Sequence, residues 1–194
     1  MLIGPNGSGK TTTLRQIKSV FNQDREFPNI KENEEIKDKY NVYYYENKYE
    51  EKHRDSELLL NKEYDKFASL YDNSEGQRMY NYLMFVVPKL GQMVTKTIKE
   101  NKKGILLLID GLDSGLSLDN LEDIRVNLLN FIPEVEKERS NIEIYIICSA
   151  NSYEFCNGYD CIDVTTRKHK VFKTYQSFKK HFIKEDKNEQ NNNT

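Results

Sequence analysis

Two runs of mainly apolar residues predict strands in the interior of a sheet. Residues 104–110 form a continuous apolar run that ends in a carboxylate, which is typical of a strand covered on both faces. Residues 142–148 form a second strand-like run. The shorter segments 1–3 and 42–45 also have the composition of strands. These four segments are the expected strands of the sheet.

Apolar residues at helical spacing predict the elements between these strands. One such stretch follows residue 11, a second spans 83–98, a third spans 118–128, and a fourth lies near the end of the chain. Pro88 should kink or split the second helix, and Ser117 is an acceptable N-cap for the third. This alternation predicts an α/β fold, with a mainly parallel sheet flanked by helices. The residues expected to pack are Leu14, Ile17, Val20 and Phe21; Leu83, Val86, Val87, Leu90, Val94 and Ile98; Leu118, Leu121, Ile124 and Leu128; and Tyr175, Phe178 and Phe182.

A long polar stretch follows the first helix. Residues 23–73 include a mixed charge run at 31–39, and we expect a small helical or irregular subdomain there, where a specific partner would bind. The length of 194 residues favours a single domain, which we place at 1–184. Residues 185–194 are polar and rich in asparagine, and they predict a disordered tail.

Composition excludes several classes of protein. The net charge of -2 excludes a globally basic nucleic-acid binder, although it says nothing about a local basic patch. No stretch approaches the roughly 18 to 20 apolar residues of a membrane span, and no signal-peptide pattern opens the chain. We therefore expect a cytoplasmic protein with no membrane partner.

The cysteines indicate reduced thiols. Cys148, Cys156 and Cys161 are too few and too irregularly spaced for a disulfide framework. Cys156, Cys161 and His169 have ligand chemistry for a metal, but their spacing matches no paired Cys-x-x-Cys signature. A zinc site is therefore not expected.

The most specific chemistry lies near the start of the chain, where residues 4–11 read GPNGSGKT, a complete G-x-x-x-x-G-K-[ST] phosphate-binding loop. Its glycines let successive backbone N–H groups wrap a triphosphate. Lys10 reaches the β and γ phosphates as a catalytic cation, the Thr11 hydroxyl ligates Mg²⁺, and the following helix directs its positive end at the phosphates. The predicted ATP-binding residues are Gly4, Pro5, Asn6, Gly7, Ser8, Gly9, Lys10, Thr11 and Thr12.

Asp110 ends the apolar run 104–110. Considered without the rest of the chain, Asp110 is equally well interpreted as a turn residue after a core strand. Beside a phosphate-binding loop, a carboxylate at the end of a central strand is positioned to hold Mg²⁺ and its water shell. We therefore predict Thr11 and Asp110 as the metal-binding residues and ATP with Mg²⁺ as the ligands.

Two further motifs resemble those of a known family. Residues 110–117 read DGLDSGLS, which resembles the D-E-x-x-S-G-L-D stretch of ABC-type ATPases and, more closely, the form found in the SMC and RecF-like branch. Residues 73–78 read NSEGQR, which resembles the L-S-G-G-Q-R signature; Ser74, Gly76 and Gln77 match it. The resemblance covers the chain from Gly4 to about Asn151. It implies a P-loop NTPase fold, and the 70 residues between Gly4 and Ser74 leave no room for coiled-coil arms.

The resemblance also implies an ATP-dependent homodimer. In this family, two subunits pack head to tail, so that Ser74, Gly76 and Gln77 of one subunit would bind the ATP held by the loop of the other. A serine and a glycine at a helix N-terminus form a second anion site. The alternative for Ser74 and Gly76 is an ordinary helix cap or turn.

Several residues depart from the family pattern. The family places a catalytic glutamate directly after the magnesium aspartate, whereas this chain has Gly111, which has no side chain. Asp113 either polarises the attacking water instead or forms turn or interface structure. Asn151 stands where the family has a switch histidine; it either donates a hydrogen bond to phosphate or forms a turn. Asn47 falls near the family's metal-contacting glutamine.

The segment 164–184 is basic and aromatic. It contains seven Lys or Arg residues and no acid. Cations interleaved with aromatic rings suit nucleic acid, but Tyr175, Phe178 and Phe182 have helical spacing and fit a buried face equally. The basic residues are Arg167, Lys168, Lys170, Lys173, Lys179, Lys180 and Lys184.

Three functions fit these observations. The first is a Mg²⁺-dependent ATPase of the SMC and RecF-like branch, whose ATP-bound dimer is a switch in DNA maintenance or defence, with nucleic acid or another protein as partner. The second is a nucleotide-binding regulator that has lost hydrolysis, as Gly111 permits. The third is a small-molecule kinase, which leaves residues 74–77 unexplained; a transporter subunit is a lesser variant of the first.

Overall fold

The computed structural model describes residues 1–22, 26–46, 56, 58–64, 68, 86–111, 113, 117–126 and 142–191. Helix side chains are described except at 86–88 and 184–191. The named elements, in chain order, are β1 (Leu2–Ile3), α1 (Lys10–Phe21), α2 (Glu34–Lys39), β2 (Tyr40–Glu46), α3 (Val86–Lys99), β3 (Gly104–Asp110), β4 (Glu143–Cys148), α4 (Tyr153–Cys156), β5 (Cys161–Asp163), β6 (Lys168–Lys170) and α5 (Tyr175–Asn191). Residues 118–126 are also helical.

The strands pair in two groups of three. In one group, β2, β3 and β4 are parallel, with β3 in the middle. In the other, β1 pairs with β5 in parallel, and β6 is an antiparallel edge strand. A bridge between Leu2 and Ser149 joins the groups, and the Ala150 amide donates to the Leu2 carbonyl at 2.9 Å. Strand β4 therefore lies between β3 and β1, and the predicted mainly parallel sheet is confirmed.

Strand β3 is covered on both faces, as its continuous apolar sequence predicts. Ile105 and Ile109 belong to a large buried cluster that also contains Leu90 and Val94 of α3. Leu108 points the other way, into a smaller cluster with Leu14 of α1. Successive strand residues point to opposite faces, so one strand carries two helical layers.

Helices α3 and α5 differ in part from the sequence-based expectations. The expected split at Pro88 is wrong, because α3 runs without interruption through this residue. The alternative expectation, a kink at Pro88, stays a prediction. At the other end of the chain, α5 continues to Asn191, into the tail 185–194 for which composition predicts disorder. Extending an existing helix costs little free energy when the added residues are Lys, Glu or Gln. The division of the chain into a domain at 1–184 and a tail at 185–194 stays a prediction.

Helix α5 buries part of its predicted aromatic face. Phe178 is buried, and its ring lies 4.7 Å from that of Phe182 and 5.1 Å from that of Phe172. Tyr175 is 52% exposed, although its ring contacts Tyr153 at 5.9 Å. The aromatic spacing therefore marks a packed helix in which Phe178 is buried, Phe182 is partly buried and Tyr175 is exposed. Among the described residues, no helix is long and apolar enough to cross a lipid bilayer.

The three cysteines are reduced and buried. Burial raises the pKa of Cys148 to about 12, and the thiolate is the reactive form of cysteine. The hydrogen bond with Cys156 lowers the pKa of Cys161, so this thiol is protected by its burial alone. We expect the native protein to resist Ellman's reagent at neutral pH and to titrate three thiols after unfolding in guanidinium chloride. Rapid reaction of any thiol in the native protein would contradict the packing described here.

Candidate phosphate-binding site

The loop between β1 and α1 has the backbone that a phosphate-binding loop requires. Gly9, the N-cap of α1, has a φ of 94°, in the left-handed region that favours glycine. Gly4 has a φ of 151°, and a Cβ added there would collide with the Ser8 hydroxyl oxygen. Because Gly9 has no side chain and the first turn of α1 holds no acid, no side chain caps this helix N-terminus. Its first amides are therefore available to an anion.

Lys10 is held within this loop. Its ammonium group donates to the carbonyl oxygens of Gly4 at 2.6 Å and Pro5 at 3.0 Å. Burial lowers the pKa of Lys10, while the charges of Asp113 and Asp110 act to raise it. The cation therefore lies in the same electrostatic neighbourhood as the carboxylate that ends β3.

Asp110 connects the loop to two neighbouring strands. Its Oδ2 accepts a hydrogen bond from the Thr11 hydroxyl at 2.7 Å, and its Oδ1 accepts one from the Ser149 hydroxyl at 2.5 Å. The Gly111 amide donates to that same Ser149 oxygen at 2.8 Å. Residues 99 positions apart in the chain, Thr11 and Asp110, are thus brought into direct contact.

Asp113 turns away from this network toward the segment that follows β4. Its Oδ2 accepts hydrogen bonds from the backbone amides of Asn151 at 2.5 Å and Ser152 at 2.6 Å. The Asn151 side-chain amide donates to Oδ1 at 3.4 Å. Both carboxylate oxygens are engaged with the 151–152 turn, and Asp113 is buried. This geometry favours the turn-forming alternative for Asp113.

A cavity of about 470 Å³ opens at the carboxyl ends of the parallel strands. This edge is where ligands bind in open α/β sheets. The loop forms one wall, and residues that end β2, β3 and β4 or directly follow them form the other. The lining residues are Asn6, Gly7, Gly9, Lys10, Thr11, Thr12, Glu46, Asp110, Ser149 and Asn151.

Two of these lining residues, Glu46 and Ser149, were not among the sites predicted from the sequence. Ser149 directly follows β4, and a hydroxyl residue at a strand end beside the acidic strand is a signal that could have identified it. Glu46 is the last residue of β2 and pairs in register with Asp110. Its only sequence signal is a carboxylate at the end of a strand-like run, which many surface residues share.

Glu46 is fixed by Arg15 of α1. The Arg15 Nη2 donates to Glu46 Oε1 at 2.8 Å and to Oε2 at 2.9 Å, and the Tyr44 hydroxyl donates to Oε2 at 3.0 Å. The hydrogen bond to Glu46 is the main reason that the pKa of Arg15 is raised. Burial is the main reason that the pKa of Tyr44 is raised. A second carboxylate, Glu26, contacts Arg15 at 3.2 Å from the exposed side.

The residues at this site fit a magnesium ion. Mg²⁺ prefers hard oxygen ligands, and the Thr11 hydroxyl and an Asp110 carboxylate oxygen lie 2.7 Å apart. In addition, the Ser8 hydroxyl is buried in the loop and has no hydrogen-bond partner among the described residues. A buried polar atom of this kind is satisfied by a polar ligand. Thr11 and Asp110 would hold the ion, which would neutralise charge on the phosphates.

Some predicted site residues are not described. Ser74, Gly76, Gln77 and Asn47 lie outside the described residues. The nine predicted residues 4–12 form the β1–α1 loop and the first turn of α1, and Lys10, Thr11, Asp110 and Asn151 all line the cavity. Asp113 does not line it.

Comparison with protein families gave a match that covers most of the chain. The family model described as the ATPase family associated with various cellular activities (AAA) matches residues 1–159. Neither the curated proteins nor the solved structures yielded a match. The matched range contains the loop, the acidic strand and the 149–152 segment.

Proposed function

This chain belongs to the ATPase family associated with various cellular activities (AAA), and on that premise we propose that it is a Mg²⁺-dependent ATPase acting as a cytoplasmic conformational switch. The observation that carries the proposal is the convergence of Lys10, Thr11 and Asp110 on one cavity at the carboxyl edge of the sheet. A family ATPase needs these three groups: a cation for the phosphates and two oxygen ligands for the metal.

Each residue of the site has a proposed role. The loop amides and the α1 N-terminus bind the phosphates, and Lys10 neutralises charge on the γ-phosphate. Thr11 and Asp110 hold Mg²⁺. Asn151, which also lines the cavity, donates to the γ-phosphate, and Asp113 holds Asn151 in position through the hydrogen bonds described above.

We further propose that ATP is sandwiched in a head-to-tail homodimer, as in the SMC and RecF-like ATPases. The likeness of residues 73–78 to the signature motif supports this, since one subunit cannot bring both anion sites to the same phosphate. Asn6 and Gly7, at the outer part of the loop, are exposed, which leaves that side of the cavity accessible to a second subunit. Ser74, Gly76 and Gln77 of the second subunit would cover it.

The partner proposed for this switch is nucleic acid or another protein in DNA maintenance or defence. Arg167, Lys168, Lys173, Lys179 and Lys180 are all exposed. Two of them lie on α5 and the others on or beside the edge strand β6. Exposed cations of this kind contact phosphates without reading sequence.

A second candidate is a regulator that binds ATP without hydrolysing it. Gly111 favours it, because this residue has a φ of 71° and no side chain to orient water after the magnesium aspartate. The two candidates share a binding site and differ only in turnover.

The experiment is sedimentation velocity with and without ATP and Mg²⁺, combined with a phosphate-release assay. We expect a shift from monomer to dimer on adding ATP and Mg²⁺, accompanied by steady phosphate release. Dimer formation without phosphate release would instead favour the regulator.

We expect Ser74→Arg to block this ATP-dependent dimer while leaving ATP binding by the monomer intact, because a large cation would displace the second subunit's phosphate contact. Gln176→Arg, which adds the same charge at an exposed position on α5, is the matched control and should dimerise normally. A Ser74→Arg protein that still dimerises would remove the signature assignment.

A further inference from the structure

Glu46 brings a carboxylate into the cavity from a strand outside the recognised motifs. It ends β2, and its Cα is the register partner of Asp110 at the end of β3. Parallel strands end at the same edge of a sheet, so the two acids stand side by side at the cavity wall. The Glu46 side chain is 19% exposed, which leaves it accessible from the cavity that it lines.

The other groups after β3 are unsuited to orienting a water molecule. Gly111 has no side chain, and both oxygens of Asp113 are engaged with the 151–152 turn. Asp110 accepts hydrogen bonds from Thr11 and Ser149 and is the proposed metal ligand. Among the described residues that line the cavity, Glu46 is the carboxylate held by neither the loop nor the 149–152 segment.

Given the ATPase proposed above, on which this step rests, we propose that Glu46 is the carboxylate that orients and deprotonates the attacking water. The water oxygen forms a bond to the γ-phosphorus while the bond from that phosphorus to the β–γ bridging oxygen breaks. The bridging oxygen leaves with the electron pair as part of ADP, and the water proton passes to the Glu46 carboxylate. Strand β2 thereby supplies the group that Gly111 lacks.

Arg15 is a positioning residue in this arrangement. Its guanidinium contacts both Glu46 oxygens, and Tyr44 contacts only Oε2, so Oε1 accepts one hydrogen bond in total from these two residues. A carboxylate oxygen has two lone pairs, which leaves Oε1 able to accept a second hydrogen bond, from water. Arg15 lies one turn after Thr11 on α1, so the helix that follows the phosphate-binding loop also orients the Glu46 carboxylate.

The decisive variant is Glu46→Gln. We expect the affinity for ATP with Mg²⁺ to stay within about threefold, while the maximal rate of phosphate release falls by about 100-fold or more, the usual effect of losing a general base. A purely structural role would instead lower the affinity for ATP together with the rate.

Two control variants separate catalysis from support of Arg15. Glu26→Gln removes the other carboxylate that contacts Arg15. The Glu26 side chain is 61% exposed and does not line the cavity, so the variant should release phosphate at the wild-type rate. Arg15→Gln should lower the rate by about tenfold at most, since Glu46 keeps its carboxylate and its contact with Tyr44. If Arg15→Gln is as inactive as Glu46→Gln, the glutamate serves only to anchor the arginine and the inference is wrong.

The remaining outcomes distinguish a failure of this inference from a failure of the proposed function. Wild-type turnover with an equally active, folded Glu46→Gln would overturn this inference and leave the proposed function intact. ATP binding by the wild type with no phosphate release would overturn the hydrolysis itself, and the inference with it. If Glu46→Gln does not fold, Glu46→Asp keeps the charge but withdraws the carboxylate by one methylene, and a wild-type rate in that variant would contradict the role.

Discussion

Lys10→Ala should weaken ATP binding by at least about 30-fold, which corresponds to about 2 kcal/mol for a lost hydrogen bond to a charged group. The side chain lines the cavity and is the cation of the loop, so its removal leaves the γ-phosphate charge without this partner. Isothermal titration calorimetry with ATP and Mg²⁺ gives the affinity directly.

The stability of Lys10→Ala should change little. Two hydrogen bonds to the Gly4 and Pro5 carbonyls are lost, but so is the burial that lowers the pKa of Lys10, and the two effects oppose one another. We expect the free energy of unfolding to shift by less than about 1 kcal/mol. Lys18→Ala is the matched control, because Lys18 lies on the same helix but over the Tyr44 ring at 5.3 Å. Equal ATP affinity in the Lys10 variant and the wild type would defeat the site assignment.

Asp110→Asn should abolish the contribution of Mg²⁺ to ATP binding and reduce phosphate release by about 100-fold or more, the scale seen when one electrostatic group is removed from an active site. Asparagine is a neutral and weaker ligand for a hard cation. The fold should survive at a cost of about 1 kcal/mol, because the hydroxyls of Thr11 and Ser149 rotate to suit an amide. The measurement is ATP affinity in Mg²⁺ and in EDTA, which should differ for the wild type and agree for the variant.

Asp113→Asn is the informative comparison. Asp113 holds two backbone amides of the 151–152 turn, so its loss should lower the free energy of unfolding by about 1 to 3 kcal/mol and leave the Mg²⁺ dependence of ATP affinity in place. Loss of that dependence in Asp113→Asn would mean that the metal lies nearer to Asp113 than to Asp110. Loss of turnover at full stability would restore Asp113 as the water-orienting acid.

These predictions divide the site into groups with separate readouts. We expect the loss of Lys10 to lower ATP affinity, the loss of Asp110 to lower both the effect of magnesium and the rate of phosphate release, and the loss of Glu46 to lower that rate alone. The three residues lie on different elements: α1, β3 and β2.

The sequence by itself determined the parts of this protein that depend on contiguous residues. Residues 4–11 specify a loop because glycines at set positions permit backbone angles that other residues avoid, and the apolar run 104–110 specifies a buried strand that ends in an acid. Helix α5 likewise follows from its aromatic spacing. Pro88 does not split its helix as predicted, because the effect of a proline depends on its position within the helix, which local composition does not state.

Only the tertiary structure decided which further side chains join the predicted residues Lys10, Thr11, Asp110 and Asn151 at the cavity. The order of strands puts β4 between β3 and β1, and that order brings Ser149 to Asp110 and leaves Asp113 on the 151–152 turn. The register of β2 on β3 places Glu46 beside Asp110. Arg15, which lies 31 positions earlier in the chain, donates hydrogen bonds to the Glu46 carboxylate. Contacts of this kind depend on pairing and packing between distant segments, and no local pattern in the chain encodes them.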